Sequence, residues 1–211
     1  MTIIGLNGSP RLNGNTAAML DAALEGAASR GTHTRRVNLF DLDYSGCVSC
    51  FSCKRLGGKS FARCALRDDL SPLLNDILCA DGLVLACPVY FSDVPGCVRS
   101  LLERLCFPGF LYAKDGRIAY TRRIPVGLIL TMNNPDPATY GGLITQLEGL
   151  MSYMLGPVQT VTASDTLQYD DYSLYASEKF DPQAKLQRHQ AVFPQECRRA
   201  RDMGASLISP C

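Results

Sequence analysis

Residues 2–16 read "TIIGLNGSPRLNGNT". The first six, Thr2–Asn7, form a short apolar run that reads as a buried strand, and Gly8 ends it. From Asn7 to Thr16 the chain is polar, and apolar residues then recur at helical spacing. Gly8 and Gly14 allow tight backbone turns. Ser9, Asn13, Asn15 and Thr16 offer side-chain donors, and Arg11 supplies a cation. The helix beginning near Asn15 aims its free N–H groups and its positive end into the same space. A phosphate monoester is held by several short donors and one cation, so this loop reads as a phosphate site. An ordinary strand-to-helix turn rich in small polar residues is the competing reading. The loop has neither the Gly-Lys-Ser/Thr pair of a nucleoside-triphosphate loop nor a G-x-G-x-x-G turn.

Working outward, the strand–loop–helix pattern repeats. Thr16–Ala28 carries Met19, Ala22, Ala23 and Ala27 at helical spacing, and Thr32–Leu39 alternates like a strand near a sheet edge. Asp68 and Asp69 stand before "LSPLLNDILCAD", placed to cap a helix. Gly82–Cys87 is a further apolar strand, and Pro95 opens a helix with Val98, Leu101, Leu102 and Leu105 on one face. Ile124–Thr131 is a strand, Leu143–Leu155 a helix and Val158–Ala163 a strand, while Pro182 to Ile208 is helical with an interruption at Pro194. Five strands alternating with helices predict a single α/β domain over residues 1–211 with a parallel sheet. Both common open arrangements, flavodoxin-like and dinucleotide-binding, place ligands outside the carboxyl ends of the strands. Residues 107–123 and 164–180 are longer connections than such a domain needs. Their aromatic residues, among them Phe110, Tyr120, Tyr169 and Tyr172, suit a subunit interface or a substrate wall.

The formal net charge of +1 over 211 residues gives no field that would recruit nucleic acid or an anionic membrane. The start "MTIIGLNGSP" lacks the charged region of a signal peptide, and no apolar run reaches the ~20 residues of a membrane span. The expectation is a cytoplasmic protein. In a reducing compartment its 10 cysteines favour metal or redox chemistry over disulfides. Cys47, Cys50 and Cys53 are spaced by two residues each, and Cys64 follows after the ten residues "KRLGGKSFAR". Such a group can hold an iron–sulfur cluster, hold zinc, exchange disulfides or simply pack. Zinc sites usually show two C-x-x-C pairs, and no second pair is present. Cys79, Cys87, Cys97 and Cys106 read as small buried hydrophobes, while Cys197 and Cys211 carry no motif. The two histidines, His33 and His189, read as ordinary packed or surface residues, so no protein acid, base or nucleophile stands out.

"GSPRLNGNT" after the first strand, "CPVYFSDVPG" after the third and the cysteine run after the second resemble the NADPH-dependent FMN reductases and the related iron–sulfur flavoproteins. The resemblance implies a flavodoxin-like three-layer α/β/α sandwich with bound FMN. Ser9, Arg11, Asn13, Asn15 and Thr16 would hold the FMN phosphate. Pro88, Val89, Tyr90 and Phe91 would line the isoalloxazine ring, with Ser92 at its polar edge. Thr131, in "TMNNPD", stands where the family makes further flavin contacts, although the segment departs from a glycine-rich pattern. Cys47, Cys50, Cys53 and Cys64 would be the ligands of a [4Fe-4S] cluster, with a wider gap before the fourth than is usual. The implied activity is electron transfer from NAD(P)H through FMN to a flavin, a quinone or an electron-transfer protein. The alternative is an electron carrier with no small-molecule substrate of its own. A homodimer or a tetramer built as a dimer of dimers is expected.

Overall fold

A computed structural model of the chain describes residues 1–208. Its five strands are β1 (Thr2–Asn7), β2 (His33–Asn38), β3 (Gly82–Pro88), β4 (Val126–Thr131) and β5 (Val158–Ala163). They form one all-parallel sheet in the order β2-β1-β3-β4-β5. This is the flavodoxin-like order, and it settles the choice that periodicity left open. β1, β3 and β4 are buried almost throughout, and the edge strands β2 and β5 are partly exposed. The three inner strands are therefore the near-continuous apolar runs, as strands covered on both faces must be.

The helices are α1 (Asn15–Ala28), α2 (Leu70–Cys79), α3 (Gly96–Gly109), α4 (Gly141–Met154), α5 (Pro182–Ala191) and α6 (Phe193–Ser206). Alternate strand residues feed two separate cores. Ile3, Val84 and Ile129 pack under α1 and α6 with Leu20 and Met203. Ile4, Leu85 and Leu128 pack under α2, α3 and α4 with Ile77, Leu101 and Leu147. α1 and α6 approach so closely that a Cβ at Gly26 would lie 1.9 Å from the Arg201 carbonyl oxygen, and one at Gly204 would lie 1.9 Å from that of Ala23.

The expected helix from Pro182 onward is two helices that part at Val192, and Pro194 sits in the first turn of α6, where its missing N–H costs nothing. Ahead of α2 it is Asp68, not Asp69, whose carboxylate accepts from a helix N–H, that of Leu70 at 3.2 Å. Among the aromatic residues of the long connections, Tyr169 stacks on Tyr175 at 4.0 Å between centroids and Tyr172 is buried, while Tyr112 and Tyr175 stay exposed. Cys211 lies outside the described residues. No described helix is long and apolar enough to cross a membrane.

Candidate cofactor site

The strand order reverses between β1 and β3, so the loops after β1, β3, β4 and β5 meet at the carboxyl edge. They enclose a cavity of about 170 Å³. Ser9, Arg11, Asn15 and Thr16 line it from the first loop, Pro88, Val89 and Tyr90 from the second, and Thr131 to Asn133 from the third. Thr166 and Gln168 close it from the segment after β5. Asn13 instead faces a neighbouring cavity on the other side of Arg11, with Tyr169, Tyr175 and His189. Phe91 is fully exposed, and neither it nor Ser92 lines the first cavity.

The first loop takes its shape from Asn7, a buried residue that composition did not single out. Its side-chain oxygen accepts from the Ser9 N–H at 3.1 Å, and its amide nitrogen donates to Asn38 at 3.2 Å. Gly8 donates to the Ala86 carbonyl at 2.7 Å, and a Cβ there would stand 2.4 Å from Val98. Only glycine lets the loop lie this close to the end of β3. The Ser9 hydroxyl accepts from the Arg11 N–H at 3.2 Å, and Thr16 and Thr131 share a hydroxyl hydrogen bond of 2.7 Å across the cavity. No side chain caps α1, so the N–H groups of its first turn remain available to an anion. Arg11 donates to the Gln168 carbonyl at 2.6 Å and Asn15 to that of Leu167 at 2.8 Å. The donor set is that of a phosphate-binding loop, with two of its members held by carbonyls.

After β3 the chain reverses within four residues. Tyr90 and Asp93 exchange backbone hydrogen bonds of 2.8 and 2.9 Å around Phe91 and Ser92, whose φ values are +49° and +63°. A hairpin turn with two left-handed residues ordinarily uses Asn and Gly. Here it holds Pro88, Val89 and Tyr90 as a shelf beside the phosphate loop, a surface on which a flat ring can lie. The donors and the shelf together fit FMN.

Helix α5 braces this edge. The Lys185 ammonium, nearly buried, donates to Asn133 and pairs with Asp165. It thereby ties the loop after β4 to the loop after β5, a link spanning 52 residues that no local pattern announces.

The cysteine segment follows β2 and lies against α3. Cys47, Cys50, Cys53 and Cys64 line one small cavity with Glu103, Arg104 and Phe107. The ten-residue excursion is pinched at its base, because Ala62, at φ +59°, donates to the Cys53 carbonyl at 2.9 Å. The chain thus returns Cys64 to the neighbourhood of Cys53, and the wide sequence gap does not separate them in space. Ser49 and Phe51 are also left-handed, so three of the six non-glycine residues with positive φ among the described residues lie in this segment and two more in the Tyr90–Asp93 turn. Such backbone clusters at functional sites, where the surroundings hold it in place. Cys50 is exposed, and hydrogen bonding to Ser52 pulls its thiol below the ordinary range. Burial pushes the Cys53 thiol up. Four soft sulfur donors around one cavity suit an iron–sulfur cluster in kind. Among the described residues they are not drawn together into a closed coordination group.

Residues 1–132 match the family model for NADPH-dependent FMN reductase. An iron–sulfur flavoprotein of Methanocaldococcus jannaschii is 36% identical over 155 residues, which are 74% of this chain and 72% of that one. A second, from Methanosarcina thermophila, is 33% identical over 104 residues, 49% of this chain and 52% of its own length. In fold the chain is similar to an NAD(P)H:quinone oxidoreductase from Methanothermobacter marburgensis, with a TM-score of 0.69 at 16% identity over 98% of this chain and 96% of the other. An azoreductase from Bacillus anthracis gives a TM-score of 0.69 at 13% identity over 98% and 99%. The match over most of the sheet and the identity to the Methanocaldococcus jannaschii protein agree: the chain belongs to the NADPH-dependent FMN reductase family and is an NAD(P)H-dependent flavin oxidoreductase.

Proposed function

We propose that the chain holds FMN across the first three loops, accepts electrons from reduced nicotinamide and delivers them to a quinone, a free flavin or an electron-transfer protein. The cavity that gathers the phosphate loop, the Pro88–Tyr90 shelf and Thr131 carries this reading. Ser9, Arg11, Asn15, Thr16 and the first N–H groups of α1 bind the phosphate, with Asn13 at its outer side. Pro88, Val89 and Tyr90 support the ring, and Phe91 and Ser92 border its exposed rim. When bound, FMN supplies hydride acceptance and the choice between one- and two-electron transfer. The chain contributes binding, orientation and exclusion of water. Arg11 and Asn15 each carry N–H groups beyond those donated to the Gln168 and Leu167 carbonyls, and these would turn to phosphate oxygens.

The four cysteines hold a [4Fe-4S] cluster on this reading, which lets two-electron input leave in single steps. Cytoplasmic residence belongs to this reading, because clustered thiols such as Cys47, Cys50, Cys53 and Cys64 suit a reducing compartment. Assembly as a homodimer or tetramer is expected, through the long connections at 107–123 and 164–180.

A second reading, an electron carrier between proteins, draws on Val48, Cys50 and Phe51, which stand exposed together on the cysteine segment as a small apolar rim. The test is anaerobic purification followed by a visible spectrum, iron analysis and addition of NADPH or NADH. Flavin absorption that nicotinamide bleaches, with about four irons per chain, supports the first reading. Flavin bleached only by a reduced ferredoxin favours the carrier. A colourless protein after FMN is added refutes both.

A further inference from the structure

We propose that Arg104 is the positioning residue of the cysteine site. Its buried guanidinium closes the segment 46–64 and holds the Cys64 sulfur at the cavity that the four cysteines line. In the loaded site it donates an N–H···S bond to that ligand. Only this last clause rests on the cluster reading given above.

Arg104 lies on α3 with its side chain wholly buried. An unpaired buried guanidinium is costly, and here every nitrogen is engaged. Nε donates to the Cys64 sulfur at 3.3 Å. Nη1 donates to the Ser45 carbonyl at 3.1 Å and to Asp68, and Nη2 donates to Asp68 at 2.9 Å and to Ser71 at 3.4 Å. Ser45 precedes the cysteine segment, Cys64 ends it and Asp68 follows it. One rigid planar group therefore spans both ends of the segment, a task a lysine's single ammonium cannot perform.

The same helix holds two other cysteines. Glu103, the adjacent residue, accepts from the Cys47 N–H at 3.0 Å. Lys54, next to Cys53, donates to the α3-terminal carbonyls of Phe107 and Pro108 and to that of Phe110. α3 is thus the frame on which Cys47, Cys53 and Cys64 are set, and exposed Cys50 is the outermost thiol. Asp68 balances the Arg104 charge, and Nε–H is the arm that reaches a sulfur. A hydrogen bond to a ligand sulfur stabilises the more negative, reduced cluster and raises its potential.

The test compares wild type with Arg104→Lys, which keeps a cation for Asp68 and loses the fork. Arg104 is outside the flavin cavity, so FMN binding reports that the variant is folded. In the metal-free chain, tryptic cleavage at Arg55, Lys59 and Arg63 is expected to be about tenfold faster in the variant. Equal rates overturn the clamp. After anaerobic reconstitution with iron and sulfide, the variant is expected to hold less iron or to titrate at a lower potential. Equal iron and equal potential overturn the N–H···S bond. A wild-type chain that takes up no iron, while the difference in cleavage persists, sinks the cluster reading and leaves the clamp standing. One measurement needs no variant: in wild-type chain with ¹⁵N-labelled arginine, the Arg104 Nε–H is expected to exchange far more slowly than that of exposed Arg117. Equal exchange overturns the clamp even if Arg104→Lys does not fold.

Discussion

The phosphate loop and the cysteine segment each follow a strand of the sheet, yet they are built in opposite ways. In the phosphate loop the backbone is fixed by near neighbours, Asn7 with Ser9 and Ser9 with Arg11, and by glycine at position 8. Its cation, Arg11, is exposed and rests on a carbonyl. In the cysteine segment the backbone is fixed from a distance by Glu103 and Arg104 of α3, and its cation is buried and fully engaged. On the proposed reading, one arginine is kept for a ligand and the other is spent on the fold. Binding energy is available from a charged donor that folding has not used, and structural energy from one that it has.

Removing the partner of the buried cation is the strongest way to break this contrast. Asp68→Asn is expected to destabilise the chain by about 3 kcal/mol in denaturant unfolding, the low end for breaking a buried pair because the Asp68 side chain is 21% exposed. Burial pushes the Asp68 carboxyl up, but the hydrogen bonds and charge of Arg104 outweigh it and hold it below the usual range. A depressed carboxylate contributes stability above its unfolded pKa of roughly 3.9 and loses it as pH falls through the folded value. Wild type should therefore shed its advantage over Asp68→Asn below about pH 4. An advantage that does not shrink at all as pH falls below about 4 contradicts the pair as the source. Next in size, Arg11→Ala should weaken FMN binding by about 1.5–3 kcal/mol by titration. It should change the unfolding of the cofactor-free chain by less than about 0.5 kcal/mol. If Arg11→Ala costs the empty fold as much as Asp68→Asn does, the contrast between the two arginines is wrong.

The same contrast decides how much of the molecule is legible in its sequence. Strands β1, β3 and β4 were legible because central parallel strands are apolar runs, the edge strand β2 because its residues alternate, and the first loop because its donors are contiguous. Asn7 lay within the quoted loop, but its role depends on Asn38, a residue of the neighbouring strand. Thr166, Gln168 and Lys185 escaped because their partners lie 19 to 157 residues away. Arg104 left one trace, a charge bordering the apolar face of Leu101, Leu102 and Leu105, and periodicity alone assigns such a residue to solvent. The ten-residue gap before Cys64 counted against a four-cysteine site only while the Ala62–Cys53 hydrogen bond was unknown.

The smallest expected effects bear on the left-handed residues of the cysteine segment and of the turn after β3. Ala62 at φ +59° and Ser92 at φ +63° each hold a conformation that costs an L-residue about 1 kcal/mol or more and costs glycine nothing. Glycine also frees the unfolded chain, which returns about 0.4–1 kcal/mol of that gain. Ala62→Gly and Ser92→Gly should therefore raise stability by only about 0.5 kcal/mol, seen as a small upward shift of the urea midpoint without a change in slope. Ligand binding separates strain from preorganisation. Ala62 directs the chain back so that Cys64 joins Cys53, and glycine there admits other directions at no steric cost. Ala62→Gly should thus stabilise the empty chain and yet release iron faster to a chelator, while Ser92→Gly should leave iron untouched. If Ala62→Gly retains iron better as well as unfolding later, the left-handed alanine is mere strain, and the clamp from α3 shapes the site without help from the loop's own backbone.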